Sequence, residues 1–86
     1  MYLHLGQNTV IKEEEIIGIF DMDNTTISKI SREYLSKKQK NEEVVNVSLE
    51  LPKAFVVCSD KSKKENVYIT QISTSTLLKR TRSINL

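Results

Sequence analysis

The sequence predicts an α+β fold: a small mixed or antiparallel sheet, one main amphipathic helix and a short C-terminal helix. Three observations carry that reading. The run Ile16-Ile17-Gly18-Ile19-Phe20 holds no polar residue and is rich in β-branched side chains, the signature of a strand buried on both faces. From Thr26 onward the apolar residues fall at Ile27, Ile30, Tyr34 and Leu35, the i, i+3, i+7, i+8 stripe of one helix face. Ser73-Thr74-Ser75-Thr76 then precedes Leu77-Leu78-Lys79-Arg80, so hydroxyls that cap helix N-termini stand before a short apolar-basic helix.

Taken in order, Tyr2 and His4 alternate with Leu3 and Leu5 up to Gly6-Gln7-Asn8, which reads as a strand closed by a turn. Thr9-Val10-Ile11 is expected to return beside it, and Lys12-Glu13-Glu14-Glu15 to connect to the run at Ile16, taken as the central strand. Asp21, Asp23, Asn24 and Thr25 supply turn-forming and capping acceptors, which places the helix start near Thr25 or Thr26. Lys29, Arg32, Ser36 and Lys40 lie opposite the apolar stripe, and the helix is expected to stop at Asn41, its last turn basic as the dipole favours. Glu43–Ser48 reads as a strand, Leu49–Lys53 as a loop because Pro52 donates no ladder hydrogen bond, Ala54–Ser59 as a strand, Asp60–Asn66 as a polar hairpin loop and Val67–Thr70 as the returning strand. Ser73 or Thr74 is the expected N-cap of the last helix. Residues 1–80 make one domain and 81–86 a loose tail.

At 86 residues such a domain buries only about 60 to 65% of the surface its unfolded chain exposes. A single helix covers one face of a sheet, so the second face of the central strand needs the C-terminal helix or another subunit, and a homo-oligomer is expected. The chain carries no bilayer-length apolar run and no charged-then-apolar signal segment, which points to a cytoplasmic protein without a membrane partner. Cys58, the single cysteine, sits in Phe55-Val56-Val57-Cys58 and is expected to be a small buried side chain rather than a nucleophile.

Catalytic readings fail on their missing partners. Asp21-Met22-Asp23-Asn24-Thr25 after an apolar strand resembles the first motif of haloacid-dehalogenase-type phosphatases, with Asp21 as nucleophile and Asp23 as acid/base. That chemistry also needs a later acidic pair for magnesium, and beyond Leu49 the acids are Glu50, Asp60 and Glu65. A calcium loop counted from Asp21 has Thr26 where glycine is needed and Arg32 where a bidentate glutamate is needed. His4 is the single imidazole, and Gly6 and Gly18 stand alone, so neither a nucleophilic triad nor a phosphate-cradling glycine loop is formed. No enzyme, cofactor or metal site is expected.

Basic chemistry remains. Residues 1–43 carry six basic and eight acidic side chains, a net of −2; residues 44–86 carry seven and three, a net of +4. Lys53, the loop Lys61, Lys63, Lys64 and the terminal Lys79, Arg80, Arg82 are candidate phosphate contacts on double-stranded DNA. Repeated around an oligomer, such weak patches gain by avidity.

The stretches YLHLGQN (2–8), IIGIFDMDNTTISKISREYL (16–35), VVNVSLELPKAFVV (44–57) and VYITQISTSTLLKR (67–80) resemble, in the same order and over nearly the whole chain, the RemA/RemB family of extracellular matrix regulators of Gram-positive bacteria. The resemblance implies a cytosolic regulator of matrix (biofilm) genes that forms closed rings with basic surfaces and wraps or bends DNA. RemA-type members carry an arginine pair and a further arginine where this chain has Glu50, Leu51, Pro52 and Lys53, so Lys53 alone keeps the charge there. Their arginine before the central strand corresponds to Glu15, a reversal, whereas Arg80 matches. A second expectation follows: an oligomeric module that binds a protein partner and has lost direct DNA contact.

Overall fold

The computed structural model describes residues 1–22 and 29–81, the first four residues of the main helix by backbone only. Tyr2–Gly6 (β1) and Thr9–Lys12 (β2) form an antiparallel two-stranded ribbon. Gly6 at φ 106° and Gln7 at φ 50° turn its corner, a left-handed conformation that glycine adopts without steric cost. A 3₁₀ turn, Glu13–Glu15, leads into Ile16–Asp21 (β3). Lys29–Lys40 (α1), Val44–Asn46 (β4), Ala54–Ser59 (β5), Glu65–Thr70 (β6) and Thr74–Arg80 (α2) complete the chain.

The four-stranded sheet runs β3-β5-β6-β4, with β3/β5 and β5/β6 antiparallel and β4/β6 parallel. This corrects the expectation for Ile16–Phe20: β3 is an edge strand, and the middle belongs to β5 and β6. Ala54 to Cys58 are all buried, whereas Ile17 and Phe20 remain 58% and 46% exposed. Both β3 and β5 are apolar up to their last residue, Asp21 and Ser59, and composition alone does not rank two such strands by position.

Each face of the sheet has its own core. On one, Leu3, Leu5, Ile11, Val47, Ala54, Val56, Cys58 and Leu77 close together, with Ile16, Ile19, Tyr68 and Ile72 at the margin. The β1–β2 ribbon and α2 therefore cover this face. The expectation that the second face needs the C-terminal helix or a neighbouring subunit resolves toward α2, assisted by a ribbon whose alternation was visible in the sequence. On the other face Phe55, Val57, Val67 and Ile69 meet Met22, Tyr34, Leu35 and Val44, under α1, which packs on β4 and β6. Phe20 stacks on Phe55, ring centroids 5.0 Å apart, and its ring lies so close over Gly18 that a Cβ there would stand 2.7 Å from it.

The boundaries follow local chemistry. Ser73 is the N-cap of α2, its Oγ accepting from the Thr76 amide at 3.3 Å. Helix α1 ends before Asn41, as expected, and its exit is a left-handed turn at Glu42 (φ 58°), the Glu43 amide donating to the Lys38 carbonyl at 3.0 Å. Strand β4 is shorter than Glu43–Ser48, and β6 begins at Glu65, two residues before the expected start. The expected helix start at Thr25 or Thr26 and the residues Asp23 and Arg82 lie outside the described residues. Thr81, assigned from sequence to the tail, is buried and donates to the Leu78 carbonyl at 2.8 Å.

Candidate nucleic-acid interface

Register across the sheet fixes where the candidate cations stand. Gly18, Val57, Val67 and Val44 share one level; Ile19, Val56, Tyr68 and Val45 the next; Phe20, Phe55, Ile69 and Asn46 the third. Lys53 precedes β5 at the end of the sheet where β3 and β6 finish. Its carbonyl accepts from the Met22 amide at 2.8 Å and its amide donates to the Thr70 carbonyl at 2.9 Å, so backbone bonds hold the position while the side chain is exposed.

Lys61, Lys63 and Lys64 lie at the opposite end, in the β5–β6 turn, roughly 20 Å away at about 3.3 Å per strand residue. That turn is built by Asp60, whose Oδ1 accepts from the Ser62 amide (2.9 Å), the Ser62 hydroxyl (2.6 Å) and the Lys64 amide (3.0 Å). Lys63 takes a left-handed φ of 65° within it. The hydrogen bonds from Ser62, with that of the Lys64 amide, hold the Asp60 carboxyl below its ordinary value. A depressed carboxyl pKa gives order that is present above the unfolded value, about 3.9, and is lost as pH falls through the folded one. Amide protection at Ser62 and Lys64, measured against the intrinsic exchange rate at each pH, is expected to fall on acidification below about pH 4, and Asp60→Asn to show the lower protection already at neutral pH; protection independent of pH would contradict this.

Lys79 and Arg80 close α2, which packs on β1 and β3, and Arg80 Nη1 donates to the His4 carbonyl at 3.2 Å. The seven candidates thus do not form one patch on a single chain: three groups occupy two ends of the sheet and the tip of α2, and Arg82 lies outside the described residues. All six described candidates are exposed. Among the described residues the ion pairs use the N-terminus with Glu14 and Lys38 with Glu43 (3.4 Å) and Glu65 (3.6 Å), and these six are not among them, although the Asp60 carboxylate in the β5–β6 turn is held low in part by the Lys64 charge.

Lys38 is structural by contrast. It bridges α1 to the residues before β4 and at the start of β6 and lies 5.7 Å from the Tyr34 ring centroid. Burial acts to lower its pKa, but the Glu43 hydrogen bond and the surrounding negative charge outweigh that and raise it. Cys58 is buried as expected, and burial followed by the Glu15 charge pushes its thiol up to about 11, which removes the thiolate a nucleophile needs. His4 Nε2 lies 3.0 Å from the Gln7 carbonyl oxygen, holding the ribbon corner. Among the described residues no group of three or more His, Cys, Asp or Glu side chains is placed to hold a metal ion, and no helix is long and apolar enough to cross a membrane.

Sequence reasoning missed the leucines of the loop before β5. Leu49 and Leu51 are 103% and 79% exposed, flanking Glu50 in a loop fixed by the Glu50 amide donating to Ser48 Oγ at 3.1 Å. The signal was present as Leu49-Glu50-Leu51-Pro52, apolar side chains in a segment with no period to bury them.

No family model matches the chain. Over 80 residues, which cover 93% of this chain and 89% of the relative, it is 41% identical to extracellular matrix regulatory protein B of Bacillus subtilis (strain 168). The chain belongs to the extracellular matrix regulatory protein B (RemB) family. The resemblance drawn from the four sequence stretches is therefore borne out. In this RemB-family chain Lys53 and Arg80, the two residues that keep the charge of the RemA-type pattern, are both exposed.

Proposed function

We propose that the chain is a non-enzymatic, homo-oligomeric cytoplasmic regulator of extracellular matrix genes that holds double-stranded DNA by its phosphate backbone. The observation that carries this reading is the set of exposed cations outside the ion pairs of the described residues, Lys53, Lys61, Lys63, Lys64, Lys79 and Arg80, in a member of a family whose relative is named a matrix regulatory protein. Scattered over one domain, they hold a duplex only weakly. Repeated around a closed ring, each group recurs once per subunit, and the affinities multiply by effective concentration. No described element presents a recognition helix, so the duplex is read by shape and deformability.

The test is fluorescence anisotropy with a labelled duplex at two salt concentrations. Each phosphate contact is expected to steepen the fall of log K with log salt by about 0.9, and the double variant Lys53→Glu, Arg80→Glu to abolish binding at low salt with the oligomer intact. Unchanged binding by that variant rejects these contacts.

A second reading is favoured by Leu49, Glu50 and Leu51, an exposed apolar-acidic loop beside Lys53 that suits a protein surface better than a polyanion. If it is right, the duplex does not bind at any salt concentration, and Leu49→Ser, Leu51→Ser releases a protein that the wild-type chain retains.

A further inference from the structure

The β1–β2 ribbon lays one face on the core and turns the other to water. Alternation along it sends Leu3, Leu5 and Ile11 inward and Tyr2, His4, Val10 and Lys12 outward. Register sets Tyr2 opposite Lys12 and His4 opposite Val10, so these four exposed side chains stand as neighbours in a square. Tyr2 is 68% exposed, a ring that the packing of the domain leaves unused.

Tyr2 and His4 lie two residues apart on one strand, about 6.8 Å along it, and both are flat rings. The His4 ring is held by its contact with the Gln7 carbonyl at 3.0 Å, so little side-chain freedom is left to lose when a ligand stacks on it. Beside them Arg80 reaches the edge of β1 at the His4 carbonyl with part of its donor fork, which leaves the other donors and the charge for an anion. Lys79, which precedes it, is exposed as well.

We infer that this outer face binds single-stranded RNA, one base stacking on Tyr2 and the next on His4, with the phosphates along the Arg80 edge. Such binding depends neither on duplex binding nor on an oligomer, although Arg80 is common to both sites.

The ligand follows from the chemistry of the face. Rings at alternate strand positions, flanked by cations, meet what unstacked bases and their phosphates offer, whereas a duplex keeps its bases stacked inside and gives the rings nothing. An ordinary protein interface takes roughly 800 Å² from each partner. The ribbon face measures only about 17 Å by 10 Å and holds one aliphatic side chain, Val10. At the ribbon corner the exposed amides Gln7 and Asn8 supply donors and acceptors for 2′-hydroxyls, which favours RNA over single-stranded DNA. Acidic neighbours bound the field: Glu50 shares a shallow cleft with Gln7, and Glu14 and Glu15 share one with Lys12. Attraction is therefore concentrated at the α2 edge.

Tyrosine emission reads the contact directly, because the chain has three tyrosines and no tryptophan and Tyr34 and Tyr68 are half-buried. Oligo(U) and oligo(dU) of equal length are titrated into the full chain, with anisotropy of the labelled strands measured alongside. Oligo(U) is expected to bind more tightly than oligo(dU) and to quench the emission. Tyr2→Ala is expected to weaken oligo(U) binding roughly 5- to 150-fold while leaving duplex affinity unchanged, and Tyr2→Phe to keep the affinity and lose the quench. Absence of oligo(U) binding, equal or tighter binding of oligo(dU), or a Tyr2→Ala variant that binds oligo(U) normally overturns the inference. Equal losses on oligo(U) and duplex in Tyr2→Ala overturn it too, since one shared site then serves both. Polyglutamate that quenches Tyr2 and displaces the RNA at the same charge concentration assigns the face to an acidic protein and likewise overturns it.

Discussion

Replacing Leu77 by Ala is expected to destabilise the domain by about 2 to 5 kcal/mol, the cost of removing a fully buried leucine from a core that cannot collapse around the gap. Leu77 is 0% exposed and sits among Leu3, Leu5, Ile11 and Val56, joining α2 to the ribbon and to the middle of the sheet. A domain of this size has about 5 to 15 kcal/mol in total, so the variant loses a large share of it. The neighbouring Leu78 is 46% exposed, and Leu78→Ala is expected to cost well under half as much. Urea unfolding at one fixed protein concentration separates the two, since association itself adds stability by mass action. Equal midpoints for both variants would refute the assignment of α2 as the cover of this face.

Thr70→Val is expected to cost about 1 to 3 kcal/mol although it preserves shape, because it leaves buried groups without partners. The Thr70 hydroxyl donates to the Leu5 carbonyl at 2.6 Å and accepts from the Ile72 amide at 3.1 Å, and the residue is 1% exposed. One side chain thus ties the end of β1 to the end of β6 and shapes the approach to α2. Thr70→Ser keeps the hydroxyl and is expected to recover more than half of the loss in the same urea measurement. Thr70→Val without effect would mean that the two backbone groups find other partners.

Much of this fold was legible residue by residue. The bounds of β5, the cap at Ser73, the end of α1 before Asn41 and the ribbon at the N-terminus follow from local chemistry that the sequence displays: β-branched runs, a hydroxyl placed before a helix, cations in a last turn. The position of β3 was not legible, because Ile16–Phe20 and Ala54–Ser59 are alike in apolar content and their order depends on which strand the connections bring to the middle. The site was less legible still. Lys53 and Lys61 are close in sequence, yet a whole strand separates them, and a count of charges holds no distances. The exposed pair Leu49 and Leu51 escaped because an aperiodic apolar segment reads as a loop whichever way its side chains turn.

The hydroxyl of Thr70 and the carbonyl of Leu5 also set a schedule. Their bond closes a span of 65 residues, and the ribbon packs on Val47, β5 and Leu77, so it has no complete partner surface until all of these have followed it. While the chain is being synthesised, Leu3, Leu5 and Ile11 stay wet until β5 has been made, and a product cut short before Leu77 lacks the part of the cover that α2 supplies. Distant contacts of this kind are slow to form because the loop must close before they reward it, which makes the nascent chain, rather than the finished domain, the form most prone to clump.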